Sequence, residues 1–168
     1  MKYHGFKRLV KHLFSAPWLV KRYFPQSALD RIEAAIRESE RLHTGEIRFA
    51  VESDLHPLHV VQGKLPRHRA IELFSQLGVW DTAANNGVLI YLLLADHDVE
   101  IVADRGIHAH LGTERWEEIC HQMELQFKQG KFEAGILLGI AQISQELQRC
   151  FPASGDNPNE LPDRPIVL

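Results

Sequence analysis

The sequence lacks most features that would place it in a special class of protein. Only two cysteines, Cys120 and Cys150, occur among 168 residues, which is too few for a disulfide scaffold and predicts buried thiols in a reducing compartment. The longest apolar run, residues 88–95, has eight residues, far below the ~20 of a membrane span. The first residues have no apolar segment typical of a secretory signal, so we expect a cytoplasmic protein.

Common catalytic and nucleotide-binding motifs are also missing. The sequence contains no GxSxG, P-loop, GxGxxG, HExxH or EF-hand motif, and no nucleophile stands at a recognisable spacing from a base. Two histidine pairs, His56 with His59 and His108 with His110, lack the third ligand of a transition-metal site. These absences favour a non-enzymatic domain.

Charge is balanced overall but uneven along the chain. The formal net charge of −3 and the lack of basic residues interleaved with aromatic ones predict no nucleic-acid partner. Residues 1–25 carry six Lys and Arg and no acid. We interpret residues 1–26 as a basic amphipathic arm, with apolar residues at helical spacing: Phe6, Leu9, Val10 and Leu13, with Phe14 beside them. The arm either packs its apolar face on the domain or contacts anionic lipid or an unknown protein partner.

Hydrophobic periodicity predicts an α/β fold over residues 27–151. The predicted order is helix, strand, helix, strand, strand, helix, helix, with strands at residues 46–52, 87–95 and 99–103 and the third helix capped by Thr113. Helices on both faces of a small mixed sheet make a three-layer α/β/α sandwich. Residues 152–168 contain four prolines, and we expect this tail to be disordered or loosely laid down.

The predicted strand directions bring polar residues to one edge of the sheet. The first two strands are expected to run parallel and the third antiparallel, so two strand starts and one strand end meet. The oxygen-bearing side chains expected there are Glu46, Asp81, Asn85, Asn86 and Asp104. Such oxygens are typical ligands of Ca²⁺ or Mg²⁺, and Arg105 is placed to contact a phosphate or another anion. The same residue types are common in turns, so a purely structural role is also open.

Residues 28–148 contain, in this order, the segments TGEIRFAVES, AIELFSQLGVWDTAANNGVLIYLLLADHDVEIVADRGI and FKQGKFEAGILLGIAQI. Together these segments resemble the TPM domain family, named after a thylakoid lumen protein, a photosystem repair factor and a nematode receptor accessory protein. The resemblance implies a small α/β/α domain, in which Asn86-Gly87 and the turn at Asp104-Arg105-Gly106 match family motifs. Many relatives have an acid where this chain has Asn85.

The resemblance also implies a range of functions. Some relatives bind divalent cations in loops near the sheet edge, phosphatase activity is ascribed to the plant lumenal branch, and other members resemble accessory factors of membrane complexes. Many relatives carry a signal peptide and a membrane tail, and this chain resembles a cytosolic branch. Three alternatives result: a non-enzymatic accessory or binding domain that holds a divalent cation, a metal-assisted phosphatase, or a membrane-surface adaptor acting through the basic arm.

Overall fold

The computed structural model describes residues 6–14, 18–153, 155 and 157–168. The helices are α1 Phe6–Phe14, α2 Trp18–Tyr23, α3 Gln26–Ser39, α4 Pro57–Val61, α5 Pro66–Gln76, α6 Arg105–Lys128 and α7 Phe132–Cys150. The strands are β1 Ile47–Glu52, β2 Val88–Leu93, β3 Asp98–Ala103 and β4 Ile166–Val167. No helix within these ranges is long and apolar enough to cross a membrane.

The four strands form one mixed sheet in the order β3-β2-β1-β4. β1 runs parallel to β2, with Ile47 opposite Val88, and β2 runs antiparallel to β3, with Val88 opposite Ala103. The predicted directions are therefore confirmed. Residues before β1 and β2 lie at the same edge of the sheet as residues after β3, and we call this edge the polar rim (residues 44–46, 81–87 and 104–106).

Helices cover both faces of the sheet. Side chains alternate along β1, so that Phe49 packs in a larger core with α3, α6 and α7, whereas Ala50 lies in a second core with Leu73 of α5. β2 is buried along its whole length, as a central strand covered on both faces must be. The three-layer α/β/α sandwich predicted from the sequence is confirmed.

The C-terminal tail differs from the expected disorder in its described residues. Ile166 and Val167 form β4, which pairs in parallel with β1 at the outer edge of the sheet. Leu161 and Ile166 pack against the second core. Prolines exclude a helix here but are tolerated beside an edge strand, and burial of these apolar side chains stabilises the ordered path.

Helix α1 is amphipathic as predicted, but it turns its polar side toward the domain. Arg8 and His12 are buried, whereas Phe6 and Phe14 are 79% and 80% exposed. Only Leu9 reaches the second core from this helix. The prediction that the arm packs its apolar face on the domain is therefore wrong for most of α1. The parts of the predicted arm at residues 1–5 and 15–17 lie outside the described residues.

Candidate functional site

Backbone hydrogen bonds join two segments of the polar rim. The Asp104 N–H donates to the carbonyl oxygen of Gly87 (2.9 Å), and the Ile107 N–H donates to that of Asn85 (3.3 Å). The segment before β2 therefore lies directly against the start of α6. The expected meeting of these two segments at one edge is confirmed.

Gly106 allows this close approach. A Cβ atom at this position would lie 2.5 Å from the carbonyl oxygen of Asn85 and 2.7 Å from that of Ala84. Both distances are shorter than a carbon–oxygen contact allows, so any larger residue forces the two segments apart. The carbonyl oxygens of residues 84 and 85 thus converge on the first turn of α6.

Asp104, predicted as part of a turn, is the N-cap of the first helical segment of α6. Its Oδ1 accepts a hydrogen bond from the Arg105 N–H (2.6 Å), and a carboxylate is favoured at a helix N-terminus. The helix predicted from Thr113 is present, because Gly112, where φ is +72°, is non-helical and separates it from a preceding short helix that begins at Arg105 and was not predicted. Oδ2 of Asp104 is buried and has no hydrogen-bond partner.

Asn86 precedes Gly87, whose carbonyl oxygen accepts from the Asp104 N–H, so Asn86 and Asp104 lie on neighbouring segments of the polar rim. It is fully buried. Its N–H donates to Oγ1 of Thr82 (3.1 Å) and its Nδ2 donates to Oγ1 of Thr44 (3.2 Å). The remaining side-chain atom, Oδ1, is buried without a hydrogen-bond partner. Asn86 and Asp104 therefore each present one unpaired oxygen.

The other predicted residues of this loop lie in solvent. Asp81 and Asn85 are exposed. Asn85 has a φ of +52°, a left-handed conformation that asparagine tolerates better than most residues. Arg105 is also exposed at the rim, where its guanidinium is accessible to an anion. Anion contact through Arg105 stays a prediction.

Glu46 binds the C-terminal tail. Its Oε1 accepts from the Glu160 N–H and its Oε2 from the Leu161 N–H, both at 3.1 Å. Burial raises the pKa of the Glu46 carboxyl above its ordinary value, and the two hydrogen bonds partly oppose this effect. Both oxygens of Glu46 thus already serve a structural purpose.

Glu160 is a rim residue that the sequence reasoning missed. Its two carboxylate oxygens lie 3.3 and 3.0 Å from the Ala83 N–H, which donates to them. The tail therefore brings a further carboxylate to the loop before β2. No sequence signal indicated this, because a proline-rich segment gives no periodicity from which to infer its path.

A second group of charged residues lies behind Glu46. Oε1 of Glu40 accepts from the Ile47 N–H (2.9 Å), and burial, with repulsion from Glu46 and Asp163, raises the pKa of Glu40 to about 9. Glu40 is thus protonated at neutral pH. The neighbouring Arg48 is buried, and burial lowers the pKa of its guanidinium. These residues fix the start of β1.

A groove of about 720 Å³ lies between β3 and α6. Its lining includes Glu100, Trp116, Cys120 and His121. Burial and the nearby Glu100 raise the pKa of the Cys120 thiol to about 12, so the sulfur is protonated at neutral pH and is a poor nucleophile. The groove contains space for a ligand but no activated thiolate.

Across the described ranges, no group of three or more His, Cys, Asp or Glu side chains is arranged to hold a metal ion. A cation at the polar rim must therefore rely on amide and backbone oxygens beside no more than two carboxylates, the kinds of ligand that Ca²⁺ and Mg²⁺ accept. The assignment of Glu46, Asp81, Asn85, Asn86 and Asp104 as metal ligands stays a prediction.

Comparison with solved structures supports the fold. The chain is similar to the BA42 protein of the psychrophilic bacterium Bizionia argentinensis, with 31% identity, a TM-score of 0.74, and coverage of 84% of this chain and 93% of BA42. It also shares its fold with the N-terminal domain of a P. gingivalis protein, at 20% identity and a TM-score of 0.57, over 70% of this chain and 72% of that one. No curated protein matches the chain.

The sequence model of the TPM domain matches residues 21–146. This range includes α3 to α6, the first three strands, most of α7 and both segments of the polar rim that meet at Asp104. The match covers well over half of the 168 residues, and it agrees with the similarity to BA42. The chain belongs to the TPM domain family.

Proposed function

We propose that this chain is a non-enzymatic binding domain of the TPM type that holds Ca²⁺ or Mg²⁺ at the polar rim. One observation carries the proposal: Asn86 and Asp104, on neighbouring segments of the polar rim, each keep one buried side-chain oxygen without a hydrogen-bond partner. Two such oxygens at one edge make a natural starting point for a cation site.

A buried oxygen atom without a hydrogen-bond partner lowers the stability of the folded protein. A buried acceptor without a partner destabilises a protein by about 1–3 kcal/mol, and a carboxylate by more. Native proteins relieve this cost with water or an ion. A divalent cation bound to Oδ2 of Asp104 relieves the larger of these costs, and neighbouring rim oxygens and water complete its coordination shell.

The surroundings suit a hard cation. The carbonyl oxygens of Ala84 and Asn85 approach the first turn of α6, and exposed Asp81 adds negative charge in the same loop. All of these donors are oxygen atoms, which Ca²⁺ and Mg²⁺ prefer. The cation would link the loop before β2 to the start of α6 and stiffen the rim as a binding surface.

None of the candidate residues is an activated nucleophile. Cys120 in the groove is a protonated thiol at neutral pH, and Glu46 is bonded to the tail through both oxygens. Arg105 at the rim can contact an anion, but binding an anion is not by itself catalysis. We therefore favour a binding or accessory role over hydrolysis.

The test is an NMR titration of the full chain with Ca²⁺ and with Mg²⁺. We expect amide shifts concentrated at Asn85, Asn86 and residues 104–106. Asp104→Asn should weaken binding at least about tenfold, since it removes the charged ligand. The matched control is Asp30→Asn, which changes an exposed aspartate of α3 and should leave the affinity unchanged.

Two results would overturn the proposal. The absence of any rim shift at millimolar ion would remove the cation. Cation-dependent hydrolysis of a phosphate ester that is abolished by Asp104→Asn would replace the non-enzymatic role with that of a metal-assisted phosphatase.

A further inference from the structure

The outer face of α1 is apolar and faces solvent. Phe6, Val10, Leu13 and Phe14 fall within an arc of about 100° at 3.6 residues per turn, and the buried Arg8 and His12 lie on the opposite side. Leu13 is 57% exposed, and the two phenylalanines are more exposed still. A helix on a soluble domain normally buries this stripe, so the orientation of α1 needs an explanation.

The helices α4 and α2 also expose apolar side chains. α4, which contacts α1, exposes Leu58 and Val61, and Trp18 at the start of α2 is 55% exposed. We call this set the apolar docking surface: Phe6, Leu13, Phe14, Trp18, Leu58 and Val61. Single exposed apolar side chains are ordinary, but several large ones on two helices in contact, as α1 and α4 are, mark a binding surface.

Basic residues accompany this surface. Lys7 and Lys11 are exposed on the flank of α1, and Lys21 and Arg22 are exposed on α2. Residues 1–25 contain no acidic residue, whereas the chain as a whole has a net charge of −3. This segment therefore has a net positive charge, and it contains the exposed aromatic side chains Phe6, Phe14 and Trp18.

We propose that the apolar docking surface binds the surface of an anionic lipid membrane. Apolar and aromatic side chains on one face of a helix with lysines beside them are the pattern of a helix lying in the interface of a bilayer, and anionic lipid attracts the basic residues. This inference is independent of the cation at the polar rim. It differs from a membrane span, because the helix lies flat.

Charge favours a membrane over a second copy of the chain. Symmetric association through α1 brings the Lys7 and Lys11 side chains of two copies toward one another, and such like charges oppose pairing. An anionic bilayer instead supplies the opposite charge. The buried contacts of Arg8 and His12 hold α1 on the domain while its outer face is free to enter the lipid headgroups.

The first test is co-sedimentation of the full chain with vesicles of phosphatidylcholine and phosphatidylglycerol at low salt. We expect binding to these vesicles and much weaker binding to pure phosphatidylcholine. Phe6→Ser with Phe14→Ser should weaken binding at least about tenfold, and Lys7→Glu with Lys21→Glu about tenfold. The control Leu125→Ser, at a 43% exposed position of α6, should have no effect.

The second test reads the depth of Trp18 directly. Trp116 is buried and Trp80 is 54% exposed, so Trp80→Phe leaves Trp18 as the exposed tryptophan of the chain. Adding anionic vesicles should shift the emission of this variant to shorter wavelength.

Three outcomes would overturn the inference. These are no binding to anionic vesicles, binding unchanged by Phe6→Ser with Phe14→Ser, and emission of Trp18 unchanged by vesicles. Dimerisation that depends on the two phenylalanines, without vesicle binding, would assign the surface to a second copy of the chain.

Discussion

Arg8 of α1 and Asp96 of the turn before β3 form a buried ion pair, with Arg8 Nη2 2.9 Å from Asp96 Oδ2. His12 Nε2 lies 3.3 Å from the other carboxylate oxygen. Nδ1 of His12 accepts from the Leu55 N–H (2.9 Å), which places the imidazole proton on Nε2, facing Asp96. The carboxylate of Asp96 thus anchors the N-terminal helix to the domain.

Asp96→Asn should release α1. The substitution removes the Asp96 carboxylate from a buried ion pair with Arg8, and breaking such a pair costs about 3–5 kcal/mol. We expect amide hydrogen exchange in α1 to rise to that of an unfolded segment while β1 and β2 stay protected. Asp30→Asn serves as the control, and unchanged exchange in α1 would show that other contacts hold the helix.

The attachment of α1 should also depend on pH. Burial alone raises the pKa of Asp96, but hydrogen bonds from His12 and Arg8 outweigh it and lower this pKa below 3.8. A lowered folded-state pKa gives stability that is present above the ordinary value and is lost as the pH falls through the folded-state value. Exchange in α1 should therefore stay slow down to a pH of about 4 and increase below it. Loss of protection near neutral pH would contradict this assignment.

Glu40→Gln should stabilise the protein at alkaline pH. The pKa of Glu40 is raised to about 9 by burial, so folding retains a proton that the unfolded chain loses above 4.5. The contribution of Glu40 is fully present below 4.5 and is lost as the pH rises toward 9. Gln mimics the protonated acid, so the variant should gain about 1–3 kcal/mol over the wild type at high pH and nothing at low pH.

Urea unfolding below pH 4.5 and near pH 9 measures the difference in free energy of unfolding between the wild type and Glu40→Gln. Glu38→Gln, which changes an exposed glutamate of the same helix, is the control. If the free energy of unfolding changes with pH equally in the wild type and in Glu40→Gln, Glu40 is ionised in the folded protein.

Glu46→Gln should loosen the C-terminal tail. An amide has one acceptor oxygen, so either the Glu160 N–H or the Leu161 N–H loses its partner, at a cost of about 1–3 kcal/mol. We expect faster amide exchange at residues 160–161 and faster proteolysis of the tail. Glu114→Gln, at an exposed position of α6, should change neither rate; an equally resistant tail in Glu46→Gln would show that apolar packing alone holds it.

Gly106→Ala should destabilise the polar rim. The added Cβ meets the carbonyl oxygens of Ala84 and Asn85, and such overpacking costs about 1–3 kcal/mol. Thermal and denaturant unfolding measure the loss. His108→Ala, at an exposed position in the same part of α6, should leave the free energy of unfolding almost unchanged. If Gly106→Ala is as stable as the wild type, the two segments separate without cost.

Much of the fold was predictable because its signals are local. The unbroken apolar run of β2 and the alternation in β1 and β3 fixed their type, and the short link through His97 fixed the antiparallel pairing. The meeting of Asn86 and Asp104 at one rim follows from these directions alone. Such arguments need only hydrophobic periodicity and strand direction.

The remaining features depend on partners distant in the sequence. The burial of Arg8 depends on Asp96, 88 residues away, so the pattern of α1 alone left open which of its faces meets the domain. Glu46 is occupied by the tail 114 residues later. A two-residue strand such as β4 carries no periodicity. The sequence therefore indicated which residues are polar at the rim but not which of them already had partners.

β4 has a consequence for biosynthesis. Val51 pairs with Val167, so this edge of the sheet stays open while more than a hundred intervening residues are being translated. The nascent chain can assemble its first three strands outside the ribosome, but Glu46 gains its two backbone donors only when residues 160–161 have left the exit tunnel. Completion of the domain is thus a late event of synthesis, and a chain stalled before that point exposes the outer edge of β1 to chaperones.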